Sequence, residues 1–291
     1  MWSVMLMLAF GHVAICLSAA DSLTSPAPPR QPPRLASIFP SATTLPANHL
    51  KFYLHFTEPM QQGVFMEHCQ VVDDRGTVIA EPFRETELWS EDGLRITVWL
   101  HPGRQKTGVN LNTELGPVLA PGKRYKFVVK GGWKSATGTP LGSDLEKPFF
   151  VSERITSQLE VGTWEVTPPS AGSREPVQVR FPTPMDHALL QRCLRIKDAS
   201  GTLLTGRTDT RQAEQVWLFT PEQPWQHAGY QIEADAILED LAGNSLARPF
   251  EVDLQGAPPK KAPAVLSLPF QPALTKGQPG KSAISRDTGR R

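Results

Sequence analysis

An internal repeat constrains this chain more than any other feature of its sequence. Three pairs of segments carry the repeat: FTEPM at 56–60 with FPTPM at 181–185, ATGTPL at 136–141 with LAGNSL at 241–246, and the Pro-Phe steps at 148–149 and 249–250. The offset falls from 125 residues between Phe56 and Phe181 to 105 between Tyr125 and Tyr230. The first copy therefore carries about 20 extra residues, mostly between Pro102 and Pro121. A repeat of this length predicts one folding unit used twice.

Each copy is built from short segments of period-two hydrophobic alternation, which is typical of strands with one face in a core. Phe52, Leu54 and Phe56 alternate with Tyr53 and His55, so we expect His55 on the outward face. Similar segments occupy 96–100, 125–129, 149–151, 177–181, 216–219, 230–234 and 250–252. The 28 prolines and 22 glycines favour turns over long helices, and only 61–68 and 187–192 suggest helical turns. About seven short strands per copy predict an all-β chain of two tandem immunoglobulin-like β-sandwich domains.

Two of the repeated motifs carry a family resemblance. Residues 56–60 resemble the "FSEPM" signature of bacterial Ig-like domains of the S-layer SbsA type, and 181–185 is a looser version. LEDLAGNSL at 238–246 is similar to that family's closing "DxAGNxL" turn, whereas 136–141 has lost the Asp and the Asn. The resemblance covers about 35–255 and implies an extracellular structural or adhesive module without a catalytic site. Gly243 suits a turn position with positive φ, and Asp240 or Asn244 can bond its own turn backbone.

The flanking segments predict export and a modular layout. Residues 1–20 join an apolar run to Ser-Ala-Ala, the layout of a secretory signal peptide; a retained N-terminal anchor and lipidation of Cys16 are the alternatives. We expect a Pro-rich linker at 21–34, a first domain at 35–152 with an insertion at about 103–117, and a second domain at 153–255. Residues 256–291 carry seven basic residues against one acid and predict a disordered basic tail, with an apolar stretch at 265–270 that could dock on a domain.

Catalytic and cofactor motifs do not emerge from the sequence. The net charge of +1 gives no overall field that favours nucleic acid, and no phosphate loop, zinc motif or nucleophile elbow occurs. We therefore expect no enzyme, no cofactor and no metal. The acidic pairs 73–74, 91–92 and 239–240 are interpreted as turn formers, with calcium binding as the alternative. Cys69 and Cys193 are interpreted as small buried hydrophobic residues rather than a disulfide.

A candidate binding surface completes the sequence interpretation. Trp133, which follows two glycines, and Trp89 are the proposed exposed aromatics, and Lys106, Asn110 and Asn112 come from the insertion, because long loops often carry function. The first hypothesis is a secreted, periplasmic or cell-surface structural or interaction protein that acts as an adhesion module or a spacer. A carbohydrate-binding module that stacks sugars on tryptophan and a secreted hydrolase are the alternatives. The partner classes are an envelope polymer, a glycan or another surface protein, and the sequence does not choose among them.

Overall fold

The computed structural model describes residues 31–106, 110–251 and 263–274, and the residues from Pro32 onward belong to one compact unit. The signal peptide assigned to 1–20, most of the proposed linker, residues 107–109 of the proposed insertion, and residues 256–262 and 275–291 of the proposed tail lie outside the described residues.

The first half of the chain forms two four-stranded sheets. Its elements are β1 (Leu35–Phe39), β2 (Thr44–Pro46), β3 (Lys51–Phe56), α1 (Phe65–His68), β4 (Cys69–Asp73), β5 (Leu88–Trp89), β6 (Arg95–Trp99), α2 (Pro102–Gln105), α3 (Asn110–Leu115), β7 (Arg124–Val129) and β8 (Leu145–Ser152). The strand orders are β1-β3-β6-β5 and β2-β8-β7-β4. Strand β2 pairs with β8 in parallel, and the other pairings are antiparallel.

A single apolar core joins these two sheets. Phe52 and Leu54 of β3 point into it from one sheet, and Phe127 and Phe149 point into it from the other. The rings of Phe52 and Phe127 lie 4.5 Å apart. Two sheets that share one core make a β-sandwich, which confirms the predicted fold class for this half. We call it the first sandwich.

The second half repeats the arrangement with a four-stranded and a three-stranded sheet. Its elements are β9 (Glu165–Thr167), β10 (Val177–Arg180), α4 (His187–Cys193), β11 (Leu194–Asp198), β12 (Gly206–Arg211), β13 (Val216–Pro221), β14 (Tyr230–Asp235) and β15 (Val265–Phe270), preceded by a 3₁₀ turn at Val161–Thr163. The strand orders are β12-β13-β10-β9 and β11-β14-β15. Val179 and Trp217 face Ile232 and Phe270 in a second core. This half is the second sandwich.

The last strand of the second sandwich corrects two expectations. This strand is β15, because Tyr230 pairs with Phe270 in the register in which Tyr125 pairs with Phe149. The sequence assigned the closing strand to 250–252, of which residue 252 lies outside the described residues. The true counterpart of Pro148-Phe149 is thus Pro269-Phe270. The assignment of a disordered tail is wrong for 265–270, which form a strand paired with β14. Alternation of Leu266, Leu268 and Phe270 toward the second core fixes this segment as a strand.

Equivalent tyrosines close the same corner in both sandwiches. The backbone N–H of Ala120 donates to the Tyr125 hydroxyl, and that of Gln226 donates to the Tyr230 hydroxyl, both at 3.1 Å. Tyr125 stacks on Phe149 and Tyr230 stacks on Phe270. A tyrosine that bonds back to the chain a few residues upstream is a feature of immunoglobulin-type sandwiches.

Strand β3 departs from the expectation that one of its faces meets solvent. Lys51 and Tyr53 on the outward face are only 8% and 5% exposed. The second sandwich covers them, so both faces of β3 are buried. The contacts that cover this face form the region described next.

Candidate functional site: the junction between the sandwiches

The closing turn of the second sandwich inserts into the first. The Leu50 amide donates to the Leu241 carbonyl at 3.1 Å, and the Leu241 side chain is 6% exposed within the first core. The first core is therefore completed by a leucine from the second copy. We call this region of contact between the sandwiches the junction.

Local chemistry shapes that turn as the sequence predicts. Asp240 Oδ1 accepts the amides of Ala242 at 2.8 Å and Asn244 at 2.9 Å. Gly243 has φ of +79°, and a Cβ placed on it would lie 2.4 Å from Leu50 Cδ1. Burial raises the pKa of Asp240 to about 6, although its hydrogen bonds to Asn244 and Ala242 oppose that rise. The turn is thus stabilised by its own side chain, and any side chain at position 243 would displace the Leu50 side chain, which directly precedes β3.

A buried charged network lies beside the turn. Lys51 Nζ contacts Asp186 Oδ2 at 3.0 Å and Glu239 Oε2 at 2.7 Å. The Tyr53 hydroxyl donates to the Asp186 carboxylate at 2.7–2.8 Å. Asp186 also caps α4 by accepting the Leu189 amide at 3.0 Å. Lys51 and Tyr53 of the first sandwich therefore pair their polar groups with the carboxylates of Asp186 and Glu239 of the second.

The electrostatics of this network favour fixed charges over reactivity. Burial lowers the pKa of Lys51, but the carboxylates of Asp186 and Glu239 outweigh it and leave this pKa above its usual value. Burial and the Asp186 charge raise the pKa of Tyr53. Lys51 is consequently a cation and Tyr53 a neutral donor at neutral pH. A lysine held charged by two carboxylates is a poor nucleophile, so the network fits a structural clamp better than a catalytic group.

An aromatic and imidazole cluster continues the junction along β1 and β3. The rings of Phe39 and His187 stack with centroids 3.4 Å apart, and His55 meets both rings edge-on at 5.4 and 5.9 Å. His55 Nε2 and His187 Nδ1 are buried and have no hydrogen-bond partner. Burial lowers the pKa of His187 to about 4, helped by His55, and burial and Arg95 lower the pKa of His55. Both imidazoles are therefore neutral at pH 7.

The β12–β13 hairpin adds a third contact. Gln212, Ala213 and Glu214 all have positive φ values of 51–62°, and each such non-glycine residue costs about 1–2 kcal/mol. Glu214 accepts hydrogen bonds from the Ser41 amide at 2.8 Å and from the Ser41 hydroxyl at 2.7 Å, and Ala213 packs against the first core. Contacts across the junction thus offset an unfavourable hairpin conformation.

The insertion of the first sandwich braces the junction rather than forming an open loop. The Arg104 guanidinium donates to the carbonyls of Gly116, Glu81, Leu115, Pro117 and Ala80. The Gln105 side-chain amide donates to the His49 carbonyl at 2.7 Å, and Arg154 from the connecting segment donates to the Gln105 carbonyl at 2.6 Å. Lys106 lies over the Phe250 ring at 4.6 Å. Lys106 of the predicted insertion therefore contacts the second half of the chain.

The structure separates the residues of the candidate binding surface. Trp133 is fully buried and its Nε1 donates to the Gln61 carbonyl at 2.9 Å, so its interpretation as an exposed aromatic is wrong. Trp89 is half-buried, and its Nε1 donates to Glu87. Among the described residues every tryptophan is buried or half-buried. The sequence placed Trp133 after a Gly-Gly turn and gave no sign that the loop folds back over the core.

The tryptophans and the insertion residues of the candidate binding surface lie at opposite ends of β3. The Phe56 ring at one end contacts Trp133 at 5.3 Å and Trp89 at 6.2 Å. At the other end the Leu100 amide donates to the Leu50 carbonyl, and α2 follows directly. Asn112 donates to the Arg104 carbonyl and Asn110 begins α3. The tryptophans and the insertion therefore do not form one site.

The two cysteines and the acidic turn residues considered in the sequence analysis lie where structural residues are expected. Cys69 lies in the first core and Cys193 in the second, both as free thiols whose pKa is raised by burial. Asp73 and Asp92 accept amides of their own turns, as expected of turn formers. Within residues 31–106, 110–251 and 263–274, no group of three metal-ligating side chains forms and no helix is long and apolar enough to cross a membrane.

An open groove lies on the surface of the first sandwich. It has a volume of about 1160 Å³ and lies on the outer face of β4, β7 and β8. Lys126 pairs with Glu146 at 2.7 Å and Lys130 pairs with Asp144 at 2.9 Å on its walls. Charges of both signs alternate there, so the groove selects neither a cationic nor an anionic ligand.

The key junction residues escaped sequence reasoning for a physical reason. Lys51 and Tyr53 are ordinary residues for the outward face of a strand, and Asp186 and Glu239 are ordinary helix-cap and turn residues. The one available signal is the failure of the repeat: Tyr53 is replaced by Gln178 at the equivalent position of β10, and Asp186 replaces Gln61. A residue type that differs between the two copies indicates a contact that only one copy makes.

Comparisons with known proteins give only distant likenesses. No family model and no curated protein matches the sequence. Among solved structures, domains 1–6 of the surface layer protein SbsC align over 70% of this chain and 23% of theirs, at 16% identity and a TM-score of 0.29. Native alpha-2-macroglobulin from Escherichia coli, spanning domains MG0-NIE-MG1, aligns over 83% and 72%, at 11% identity and a TM-score of 0.28. This chain thus spans about a quarter of the SbsC chain.

A glycan-binding protein also appears among these structures. SGBP-B of the Bacteroides ovatus mixed-linkage glucan utilization locus, in complex with a mixed-linkage heptasaccharide, aligns over 74% of this chain and 45% of its own, at 12% identity and a TM-score of 0.20. These TM-scores are too low to carry an argument about family or function.

Proposed function

We propose that this chain is an exported, non-enzymatic structural or interaction protein, a spacer or adhesion module made of two Ig-like domains of the SbsA type. The observation that supports it best is the junction, where the titratable residues that converge are used to hold one sandwich on the other. Lys51, Tyr53 and Asp186 are each less than 10% exposed, so a substrate has no access to them.

The proposed domains run from 35 to 152 and from 153 to about 274, with β15 included in the second. The proposed export rests on the sequence of residues 1–20. The carbohydrate-binding alternative loses its main support, because Trp133 is buried, and the hydrolase alternative would need an open cleft with two converging acids. The groove on the first sandwich remains the best surface for an envelope polymer or a protein partner.

The test of catalysis uses the chain from residue 21 onward. It is incubated with panels of polysaccharides, peptides and esters, and product formation is compared with that of a Lys51→Met variant. We expect no product with either protein. Turnover by the parent chain that disappears in the variant would overturn the non-enzymatic assignment and make the junction an active site.

The test of export compares the full chain with a variant lacking residues 1–20 in a bacterial host. We expect the full chain outside the cytoplasm, shortened by about 20 residues as a signal peptide requires, and the variant inside. Recovery of both proteins in the cytoplasm would contradict the proposed localisation. Binding of the exported form to isolated cell envelopes would then be measured, with soluble glycans as competitors.

A further inference from the structure

We propose that the junction is an acid-sensitive latch, in which protonation of His55 and His187 releases the second sandwich from the first. The proposal concerns regulation of the same contact that supports the proposed function, and it rests on the two sandwiches being docked at neutral pH. The argument begins with the position of the two rings, which face each other across the junction from β3 and from α4.

Both imidazoles are placed where a charge is unfavourable. His187 is stacked face to face on Phe39, with 9° between the rings. His55 Nε2 and His187 Nδ1 are buried without an acceptor, so an added proton at either atom would have no hydrogen bond. A buried charge without a partner is costly. Separation of the sandwiches would return both nitrogens to water.

The groups that face these rings already include one cation, Arg95. Arg95 of β6 pairs with His55 in the sheet and lies over the Tyr53 ring at 5.9 Å, and Lys51 lies further along β3. The carboxylates nearby are Asp186, which is bound to Lys51 and Tyr53, and the exposed Asp92. Two imidazolium ions would thus add repulsion to a face whose buried carboxylate is already neutralised.

Protonation equilibria give the direction and size of the effect. An imidazole with a lower pKa in the docked state favours docking at neutral pH and loses that contribution as the pH falls below about 6.5. For His187, a pKa of about 4 when docked corresponds to a weakening of docking by roughly 50-fold or more at about pH 4.5. His49, which contacts the Leu241 carbonyl, adds to it because burial lowers its pKa to about 3.

Two carboxyl groups act in the opposite sense. Burial raises the pKa of Asp240 to about 6 and also raises the pKa of Glu214. A carboxyl with a raised pKa favours docking as the pH falls, so these groups offset part of the imidazole effect. Three imidazoles against two carboxyls leave a net release in acid, which we expect to be about tenfold or more between pH 7 and 4.5.

Backbone amide exchange of the full chain reports this release directly. The Ser41 amide donates to Glu214 and the Leu50 amide donates to Leu241, so both are protected only while the sandwiches are docked. The amides of Phe56 and Leu204 donate within their own sandwiches and report unfolding. Protection factors, corrected for the intrinsic pH dependence of exchange, are measured at pH 7 and 4.5.

Variants identify the groups responsible. His55→Phe/His187→Phe keeps the ring stack and removes both titrating nitrogens, and His68→Phe is the matched control, since His68 stacks on Trp133 away from the junction. We expect the protection of Ser41 and Leu50 to fall about tenfold or more in the parent and the control. In the double variant, which keeps His49 and the two carboxyls, we expect the fall to be at least about fivefold smaller.

Three outcomes would overturn the latch. One is unchanged protection of Ser41 and Leu50 in acid in the parent chain. Another is an acid response that the double variant retains in full. A third is joint loss of protection at Phe56 and Leu204, which means unfolding rather than release. Absence of protection at Ser41 and Leu50 already at pH 7 would overturn the docked organisation itself, and with it the structural part of the proposed function.

Discussion

Equivalent strands β3 and β10 show how a repeated module acquires a unique contact. Both send alternate residues into a sandwich core and both pair with an edge strand. On the outward face Tyr53 is buried by the second sandwich, whereas its counterpart Gln178 is half-exposed. The edge residues opposite them are Phe39 and Thr167. The difference teaches that the inward face maintains the fold, while the outward face is free to specialise.

The residues after the two Pro-Met steps give the sharpest form of this comparison. The Gln61 amide donates to Lys134, and the Asp186 amide donates to Glu239, both at 2.9 Å. The backbone arrangement is the same, but Gln61 is exposed and Asp186 is 3% exposed. A charge therefore occurs where a partner from the other sandwich is available.

Substitution of Asp186 by alanine should have the largest effect. It leaves the Lys51 ammonium with one carboxylate, removes the acceptor of Tyr53 and uncaps α4, so we expect a loss of about 3–5 kcal/mol. Gln61→Ala is the matched control and should change stability by less than about 0.5 kcal/mol. Both are measured by urea denaturation at pH 7. Equal small effects would show that the network contributes nothing to stability.

Substitution of the glycines in the two closing turns should give a smaller difference in stability between equivalent positions. Gly243→Ala meets both a positive φ and the Leu50 side chain 2.4 Å from the new Cβ, so we expect about 2–4 kcal/mol. Gly138→Ala has φ of +91° but no atom within 4 Å of the new Cβ, so about 1 kcal/mol is expected. Thermal and urea unfolding compare the two. A similar cost at both positions would contradict tight docking of the second turn on β3.

Substitution of the two corner tyrosines should cost the least stability, and the cost should be the same in both sandwiches. Tyr125→Phe and Tyr230→Phe each remove one hydroxyl that accepts a backbone amide at 3.1 Å, at a cost of about 1 kcal/mol. Differential scanning calorimetry would measure both. Because both tyrosines make the same hydrogen bond and the same ring stack, a cost in one sandwich more than about twice that in the other would break the equivalence of the two modules.

Patterns of hydrophobic alternation predicted most of the fold. Phe52, Leu54, Val177 and Val179 were identified as core residues because a strand with one buried face leaves a period of two. The missed strand β15 shows the limit of this reasoning. Pro249-Phe250 has the same two residues as Pro148-Phe149 and comes earlier in the sequence than Pro269-Phe270. Only pairing with β14 shows that Pro269-Phe270 is the structural equivalent of Pro148-Phe149. Pairing of distant segments leaves no local signal.

The candidate site was predicted poorly, for a related reason. Trp133 follows two glycines, which suggested a surface loop, but its ring packs against Phe56 and His68. Lys51, Tyr53, Asp186 and Glu239 have no shared motif, since they come from β3, the cap of α4 and the segment before the closing turn. Residues that far apart in sequence become neighbours only when the two sandwiches dock.

The sequence by itself determined the all-β character, the doubling of the module and the conformation of its turns, because alternation, glycine geometry and aspartate turn bonds act over a few residues. The tertiary structure alone decided which outward face is buried and which charges meet, because those contacts depend on how one module packs on the other. Local interactions can be read along a chain, whereas the burial of Leu241 in the core of the first sandwich is a property of two surfaces.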